Sequence, residues 1–289
     1  MAEALPGGMR TVKDVVALSA AYLDAKGLPT ARLDAEKLIG SVLELDRLEL
    51  YLHHDRPVTP AELDAIRPLL RRRADLEPVA YILGTVGFHR VVLKTDARAL
   101  MPRSETETLV EVALASLPER GGTLLDVGTG AGAIAIAVKY ARADVAVTAV
   151  DVSPDALALA QENATLVGVD VAFAVSDLTA TVHGSFDVIA ANLPYIPVGD
   201  PRTEPGVVRH EPHLALYGGE DGLDLVRRLI GEAPALLATG GALVLEVSDE
   251  QAQVVRSLLD AAGFAEVVFH RDLHGVDRVV AGRLAPRDF

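Results

Sequence analysis

Hydrophobic and polar positions along the chain change period twice. From Thr11 to Lys26, Val12, Val15, Val16 and Leu23 recur at helical spacing, and Gly27 closes the run. A second helix is predicted over Arg32–Leu45 with Leu33, Leu38, Ile39 and Leu43 inward, followed by a helical turn over Arg47–Leu52. Thr59-Pro60-Ala61-Glu62 is a capping box with proline at the first helical position, and the helix it opens carries Leu63, Ile66, Leu69 and Leu70. Residues 1 to about 10 read as a loose tail. Residues 1–76 are therefore expected to form a small all-helical domain suited to binding or covering a substrate. Over 77–100 the helical period is lost, and Tyr81–Gly84 and Phe88–Leu93 read as a β-hairpin linker.

From residue 101 to 289 short apolar runs alternate with helical ones. Ser104 is expected to cap a helix running through Leu117. Leu124, Leu125 and Val127 predict a buried strand, and Ala133–Val138 a helix packed on a sheet. Strands over 145–151, Val169–Val175 and Phe186–Ala191 follow, with a helix from Ser153-Pro154 through Asn163. A helix over Leu223–Leu237, broken near Pro234, precedes strands Ala242–Val247 and Arg278–Arg283, which flank a helix over Glu250–Ala262. The β-α-β-α-β-α-β order predicts an α/β, doubly wound, mostly parallel sheet of Rossmann-like type, with ligands at the carboxyl ends of the strands. Gly199–Tyr217 is a long polar, proline-rich loop of the kind that carries function.

Two strand ends carry candidate chemistry. After Asp126-Val127, Gly128, Thr129, Gly130, Ala131 and Gly132 place glycine at every second position, where a missing Cβ lets a ligand approach the backbone. Tight strand-to-helix turns also use glycine for local reasons, but here strand, helix and Asp151 are all in register for a carboxylate on ribose hydroxyls. The spacing is not that of dinucleotide binders, and no Lys-Ser/Thr follows to cradle phosphate. It looks like the cofactor loop of class I methyltransferases, whose S-adenosylmethionine has a ribose and no phosphate. Val152 beside Asp151, and Asp177, whose carboxylate is in reach of an adenine amine, extend that cofactor set. The strand ending at Ala191 runs into Asn192-Leu193-Pro194-Tyr195, the Asn-x-Pro-Tyr pattern of methyltransferases acting on a planar, conjugated nitrogen. Such a nitrogen is a poor nucleophile and has to be oriented: the Asn192 side-chain oxygen and Pro194 carbonyl can accept its hydrogens while Tyr195 lies against the flat group.

Composition narrows the field. A net charge of -14 argues against a general nucleic-acid binder, and Arg71-Arg72-Arg73 reads as a solvated helix end. There is no cysteine, so no disulfide, thiolate metal site or cysteine nucleophile exists. His210-Glu211-Pro212-His213 does not match a helical zinc motif, and no metal is expected. The N-terminus lacks the regions of a secretory signal and no apolar run reaches membrane-spanning length, so a cytoplasmic protein is expected.

Taken together, the motifs resemble the HemK/PrmC family of glutamine N5-methyltransferases that modify peptide chain release factors. The likeness covers nearly the whole chain: Arg32–Glu36, Glu77–Gly84, Pro102-Arg103 with Glu105-Thr106-Glu107, the glycine loop, Asp151, Asn192–Tyr195, Glu211-Pro212, Gly218–Leu223 and Asp277-Arg278. It implies a helical substrate-recognition domain before a class I methyltransferase domain. It also implies cofactor contacts from the glycine loop, Asp151 and Leu178 after Asp177, with Arg103, Thr106 and Asn192 added to that set. The glutamine amide would be bound by Asn192–Tyr195, with Glu246 placed on the substrate side. Leu193 stands where the family has a first proline, Leu178 where an aromatic is common, Ser104 for a usual proline, and Val247-Ser248-Asp249 for a glycine-containing turn. These departures touch the pocket more than the scaffold. A release-factor glutamine is the leading substrate. The planar guanidine of free arginine, or another amino-acid-like molecule, is the alternative, and a nucleic-acid adenine comes last on charge.

Overall fold

Capping boxes set the helix starts of the N-terminal region. Thr11, Asp46 and Thr59 each accept from the amide three residues on, while Asp14, Glu49 and Glu62 reach back to the cap amide. They open α1 (Val12–Asp24), α3 (Arg47–Leu52) and α4 (Pro60–Ala74), with α2 (Ala31–Leu43) between. The computed structural model describes residues 10–285, so the predicted tail lies almost wholly outside the described residues. Leu23, Ile39 and Ile66 are fully buried at the centre of this helical core. Leu33, expected inward, is 36% exposed, because the buried stripe of α2 runs through Ala31, Ala35, Leu38 and Ile39 on the other face. The Arg71–Arg73 cluster is a solvated helix end only in part: Arg71 and Arg72 are exposed in the last turn of α4, but two of the three arginines are ion-paired. Arg73 pairs with Asp34 at 2.7 Å with both side chains nearly buried, and Arg72 pairs with Glu77.

Tyr81–Gly84, expected as a strand, instead belongs to a short helix, α5 (Val79–Leu83), with Pro78 at its N-cap and Gly84 closing it at φ +76°. The hairpin begins one residue later, as β1 (Thr85–Phe88) and β2 (Val91–Lys94). The described residues up to Gly84 form one unit together with Glu204–His210. The hairpin belongs to the second unit, Thr85–Thr203 with Glu211 onward.

In the second unit α6 (Thr106–Ser116) leads to β3 (Thr123–Val127), α7 (Ala133–Ala141), β4 (Ala146–Asp151), α8 (Pro154–Val167), β5 (Ala172–Val175) and β6 (Phe186–Ala191). After α9 (Pro205–His210), which belongs to the first unit, the second continues with α10 (Asp224–Glu232), β7 (Leu237–Glu246), α11 (Ala252–Ala261), β8 (Phe264–Arg271) and β9 (Asp277–Leu284). The sheet order is β5-β4-β3-β6-β7-β9-β8, with the first five strands parallel and the last two antiparallel. This is the expected doubly wound, mostly parallel sheet. Successive residues of each central strand serve opposite faces: Leu124, Val188 and Val244 enter one core, Leu125, Ile189 and Leu243 the other.

Three details differ from expectation. Ser104 caps nothing; its hydroxyl binds Glu105, and α6 starts at Thr106 without a side-chain cap. The β5–β6 connection contains turns and no helix. A strand, β8, occupies the sheet edge where none was predicted. Among the described residues no helix is long and apolar enough to cross a membrane.

Candidate active site

The chain turns between β3 and β4 on one side and between β3 and β6 on the other, so a crevice opens at the carboxyl ends of these three strands. A cavity of about 320 Å³ sits there. Gly128, Thr129, Gly130 and Ala131 after β3, Asp151 and Val152 after β4, Asp177 and Leu178 after β5, and Asn192, Leu193 and Pro194 after β6 all line it. Arg103 and Thr106 complete the predicted residues that reach it.

Gly132 does not line the cavity and acts on packing: it holds φ +83°, and a Cβ there would meet Ile136 Cδ1 at 2.8 Å and Ala160 Cβ at 3.1 Å. Only glycine lets α7 start so close to α8. Asp126 is fully buried beneath the loop and also does not line the cavity. One of its oxygens accepts from the Thr129 hydroxyl at 2.6 Å and the Ala135 amide at 3.1 Å, while the other has no partner. Desolvation pushes its carboxyl up to about 7 against those hydrogen bonds. Asp151 is fixed by the loop it serves, accepting from the Gly130 amide at 2.8 Å and the Ser153 amide at 2.9 Å. Each oxygen keeps a lone pair for a ligand.

Asn192 directly follows β6, its amide nitrogen donating to Thr106 Oγ1 at 3.1 Å. Glu246, at the end of β7, is 2% exposed, and one of its oxygens is buried with no hydrogen-bond partner. It does not line the cavity. Tyr195 likewise stands behind the lining; burial pushes its hydroxyl up to about 12, with Glu246 adding to the rise. Its carbonyl accepts from Gln251 Nε2 at 2.9 Å. Gly218 and Gly222 press on the same backbone: a Cβ on Gly218 would overlap the Pro194 carbonyl oxygen, and one on Gly222 that of Tyr195.

Several residues of the lining are not among the candidate site residues read from the sequence, although the sequence marks Pro212 and the long loop. Ala99 and Met101 from the segment after the hairpin, Pro212 and Leu214 from the long loop, and Leu225 on α10 line the cavity through tertiary contact alone. Glu211, its side chain fully buried, holds that loop by accepting from Arg103 and from the Met101 amide at 3.2 Å. Asn163, on α8 and wholly buried, ties β2 to the glycine loop: it accepts from the Lys94 amide at 2.7 Å and donates to the Ala131 carbonyl at 3.0 Å. Among the described residues no group of histidine and carboxylate side chains is arranged to hold a metal ion. Glu211 serves Arg103, and His210 meets the Asp75 carbonyl at 2.9 Å.

Both arginines of the lining are already ion-paired, Arg98 with Asp96 and Glu162, Arg103 with Glu211. A cavity without an uncommitted guanidinium, but with the carboxylates of Asp151 and Asp177, suits a hydroxylated or cationic ligand better than a diphosphate. Known proteins agree. Residues 14–84 match the PrmC N-terminal domain and residues 104–204 the methyltransferase small domain. A release factor glutamine methyltransferase of Deinococcus radiodurans is 42% identical over 95% of this chain and 99% of its own length. One of Geobacter sulfurreducens is 40% identical over 95% and 97%. Among solved structures, a 16S rRNA methyltransferase of T. thermophilus shares the fold at a TM-score of 0.50 and 17% identity, over 69% of this chain and 49% of its own. With identity of that extent running through both units, and with the glycine loop and Asn192-Leu193-Pro194 converging on one cavity, the chain belongs to the release factor glutamine methyltransferase family.

Proposed function

We propose that the protein is an S-adenosylmethionine-dependent N-methyltransferase that modifies the side-chain amide of a glutamine in a peptide chain release factor. One observation carries the reading: the loop Gly128–Ala131 with Asp151 and the segment Asn192–Pro194 line the same cavity. Donor and acceptor groups therefore share one crevice. Asp151 would hold the ribose hydroxyls, the glycine loop would lie along the donor, and Val152 and Leu178 would supply apolar contact beside Asp177. Bound there, S-adenosylmethionine supplies an electrophilic methyl group on a sulfonium. Asn192 Oδ1 and the Pro194 carbonyl would accept the N–H groups of the acceptor amide, fixing its plane and aiming its nitrogen at the donor. The same two oxygens face the positive charge that grows on nitrogen as the bond forms. Tyr195, standing behind the lining, backs this segment rather than entering the cavity. A cytoplasmic location follows from a substrate that works in translation.

The helical unit supports a macromolecular acceptor. It carries a groove of about 1020 Å³ edged by Lys13, Arg32, Arg47, Leu48 and Tyr51, with Leu48 and Tyr51 64% and 76% exposed. The test is direct. Methyl-labelled donor is incubated with the purified protein and with release factor, free glutamine or free arginine, and the products are mapped by mass spectrometry. The expected result is one methyl on a release-factor glutamine and none on the free amino acids. Methylation of free arginine or glutamine with none on release factor would overturn the substrate.

A further inference from the structure

An asparagine buried inside a helix is a poor choice for stability alone. Its amide favours backbone partners outside the helix, and burial strips water that only fully paired neighbours replace. Asn163 sits within α8 with none of its surface exposed. Its pairing uses both donors and the acceptor. Oδ1 accepts from the Lys94 amide at 2.7 Å, and Nδ2 divides its hydrogens between the carbonyls of Lys94 and Ala131, both at 3.0 Å. Turned by half a rotation, the side chain would set its own N–H groups against the Lys94 N–H, so one orientation is fixed.

These backbone partners belong to two different walls of the cavity. Ala131 lines it from the glycine loop. Lys94 ends β2 and leads into the segment Arg98–Arg103, each residue of which lines the cavity as well. The apolar part of the joint is small: Ala99, Ala131, Ala156 and Leu159 form a cluster made mostly of alanine, which buries little area. The ion pairs of Glu162 with Lys94 and Arg98 beside it are partly exposed and weakened by water. The three buried hydrogen bonds of Asn163 are therefore the specific part of the joint.

They also reach Asp151. The Ala131–Gly132 peptide is held at both ends, its carbonyl by Asn163 and its N–H by the Thr129 carbonyl at 2.9 Å. One residue earlier in the same loop, the Gly130 amide donates to Asp151 at 2.8 Å. A tilt of the Ala131 peptide shifts the amide that fixes this carboxylate.

We infer that Asn163 is a positioning residue for the methyl donor: by joining the Lys94 backbone to the Ala131 carbonyl, it sets the spacing between the glycine loop and the segment Arg98–Arg103 and, through the loop, the place of Asp151. Asn163 does not line the cavity and acts only through these neighbours. The inference deepens the proposed reading and rests on S-adenosylmethionine as the donor held there. It does not depend on which acceptor is methylated.

Calorimetry with S-adenosylmethionine and the full chain, without acceptor, tests it. Asn163→Leu keeps a branched side chain but leaves the Lys94 amide and both carbonyls unpaired. Donor Kd is expected to rise about tenfold or more. In the release-factor assay donor KM should rise alike, with kcat at saturating donor within about threefold of wild type and acceptor KM within about twofold. Asn163→Asp keeps the oxygen that serves Lys94 but turns a second oxygen on the two carbonyls, so its Kd should be at least as weak as that of Asn163→Leu. Leu259→Ala, a fully buried position on α11 outside the cavity lining, is the stability control. It should lower the melting temperature while leaving donor Kd within about twofold of wild type.

A second background reads the route through the loop. Where Asp151→Asn has already weakened the ribose contact, adding Asn163→Leu should cost at most about half the fold-loss it causes in wild type. Equal fold-losses in the two backgrounds, a wild-type Kd in Asn163→Leu or Asn163→Asp, or a Leu259→Ala that loses donor affinity as much as Asn163→Leu, overturns the inference. If Asn163→Leu does not fold, Asn163→Asp, with the shape of the native residue, is read in its place. Absence of calorimetric binding in wild type would instead remove the donor reading itself.

Discussion

Burial pushes the Glu246 carboxyl up to about 7 from 4.5, chiefly by desolvation, with Glu105 adding to the rise. The polar side chains of Thr106 and Asn192 and the charge of Arg278 pull it the other way, and the Tyr195 hydroxyl stands near the same group. Folded protein therefore holds this proton more tightly than unfolded chain. Well below pH 4.5 the group is protonated in both states and contributes nothing. As pH rises through the window from 4.5 to about 7 the unfolded chain ionises first, so a destabilising contribution develops and is complete above 7. Its full size is about 3 kcal/mol as an upper estimate. Glu246→Gln should accordingly melt several degrees above wild type at pH 8 and at the same temperature at pH 4. A melting difference that does not change with pH would show that Glu246 ionises in the fold as it does in water. At this scale the sequence was informative about residues that end strands, since a strand end is a local event. It was silent on Asn163 and marked Glu211 only by resemblance, without its role, because their partners at Lys94, Ala131, Arg103 and Met101 lie far away along the chain.

Short elements decide how the crevice is shaped. The turn at Gly218–Gly222 lies on the backbone of Pro194 and Tyr195, and Gln251, just before α11, bridges the Tyr195 and Asp221 carbonyls at 2.9 and 3.2 Å. The glycines let one loop brace another at backbone contact. Gly218→Ala puts a methyl group into the Pro194 carbonyl oxygen. That acceptor should then move by a fraction of an ångström or more, with kcat down by about ten- to a hundredfold and calorimetric affinity for S-adenosylmethionine unchanged. Unchanged kcat would detach this turn from catalysis. Where sequence patterns misled, a local signal was overridden by its ends or its neighbours. Tyr81-Ile82-Leu83 has strand-forming side chains, yet Pro78 before it and left-handed Gly84 after it close a helical turn. β8 was illegible because Glu266, at φ +52°, shifts its register between Ala265 and Val268 and breaks the alternation that marks a strand. The β5–β6 crossover broke the expected alternation by dispensing with a helix.

For the whole molecule, the division of labour follows from binding energy. A glutamine amide offers few contacts of its own, so discrimination between one protein glutamine and free glutamine has to draw on contacts distant from the reacting nitrogen. In the proposed reading the helical unit supplies those contacts. On a chain of net charge -14, its groove gathers Lys13, Arg32, Arg47 and His54 around exposed Leu48 and Tyr51. Glu36 at its base is already paired with Arg32 at 3.0 Å and Arg47 at 2.8 Å. An apolar knob flanked by acidic side chains on the acceptor protein fits such a surface. The double change Leu48→Ser with Tyr51→Ser should raise KM for release factor by about tenfold or more, the scale of losing an aromatic anchor, with kcat and donor affinity unaltered. Because both side chains are largely exposed, melting temperature should stay near that of wild type, which separates lost docking from lost folding. An unchanged KM would move acceptor recognition away from this groove and onto the methyltransferase unit itself.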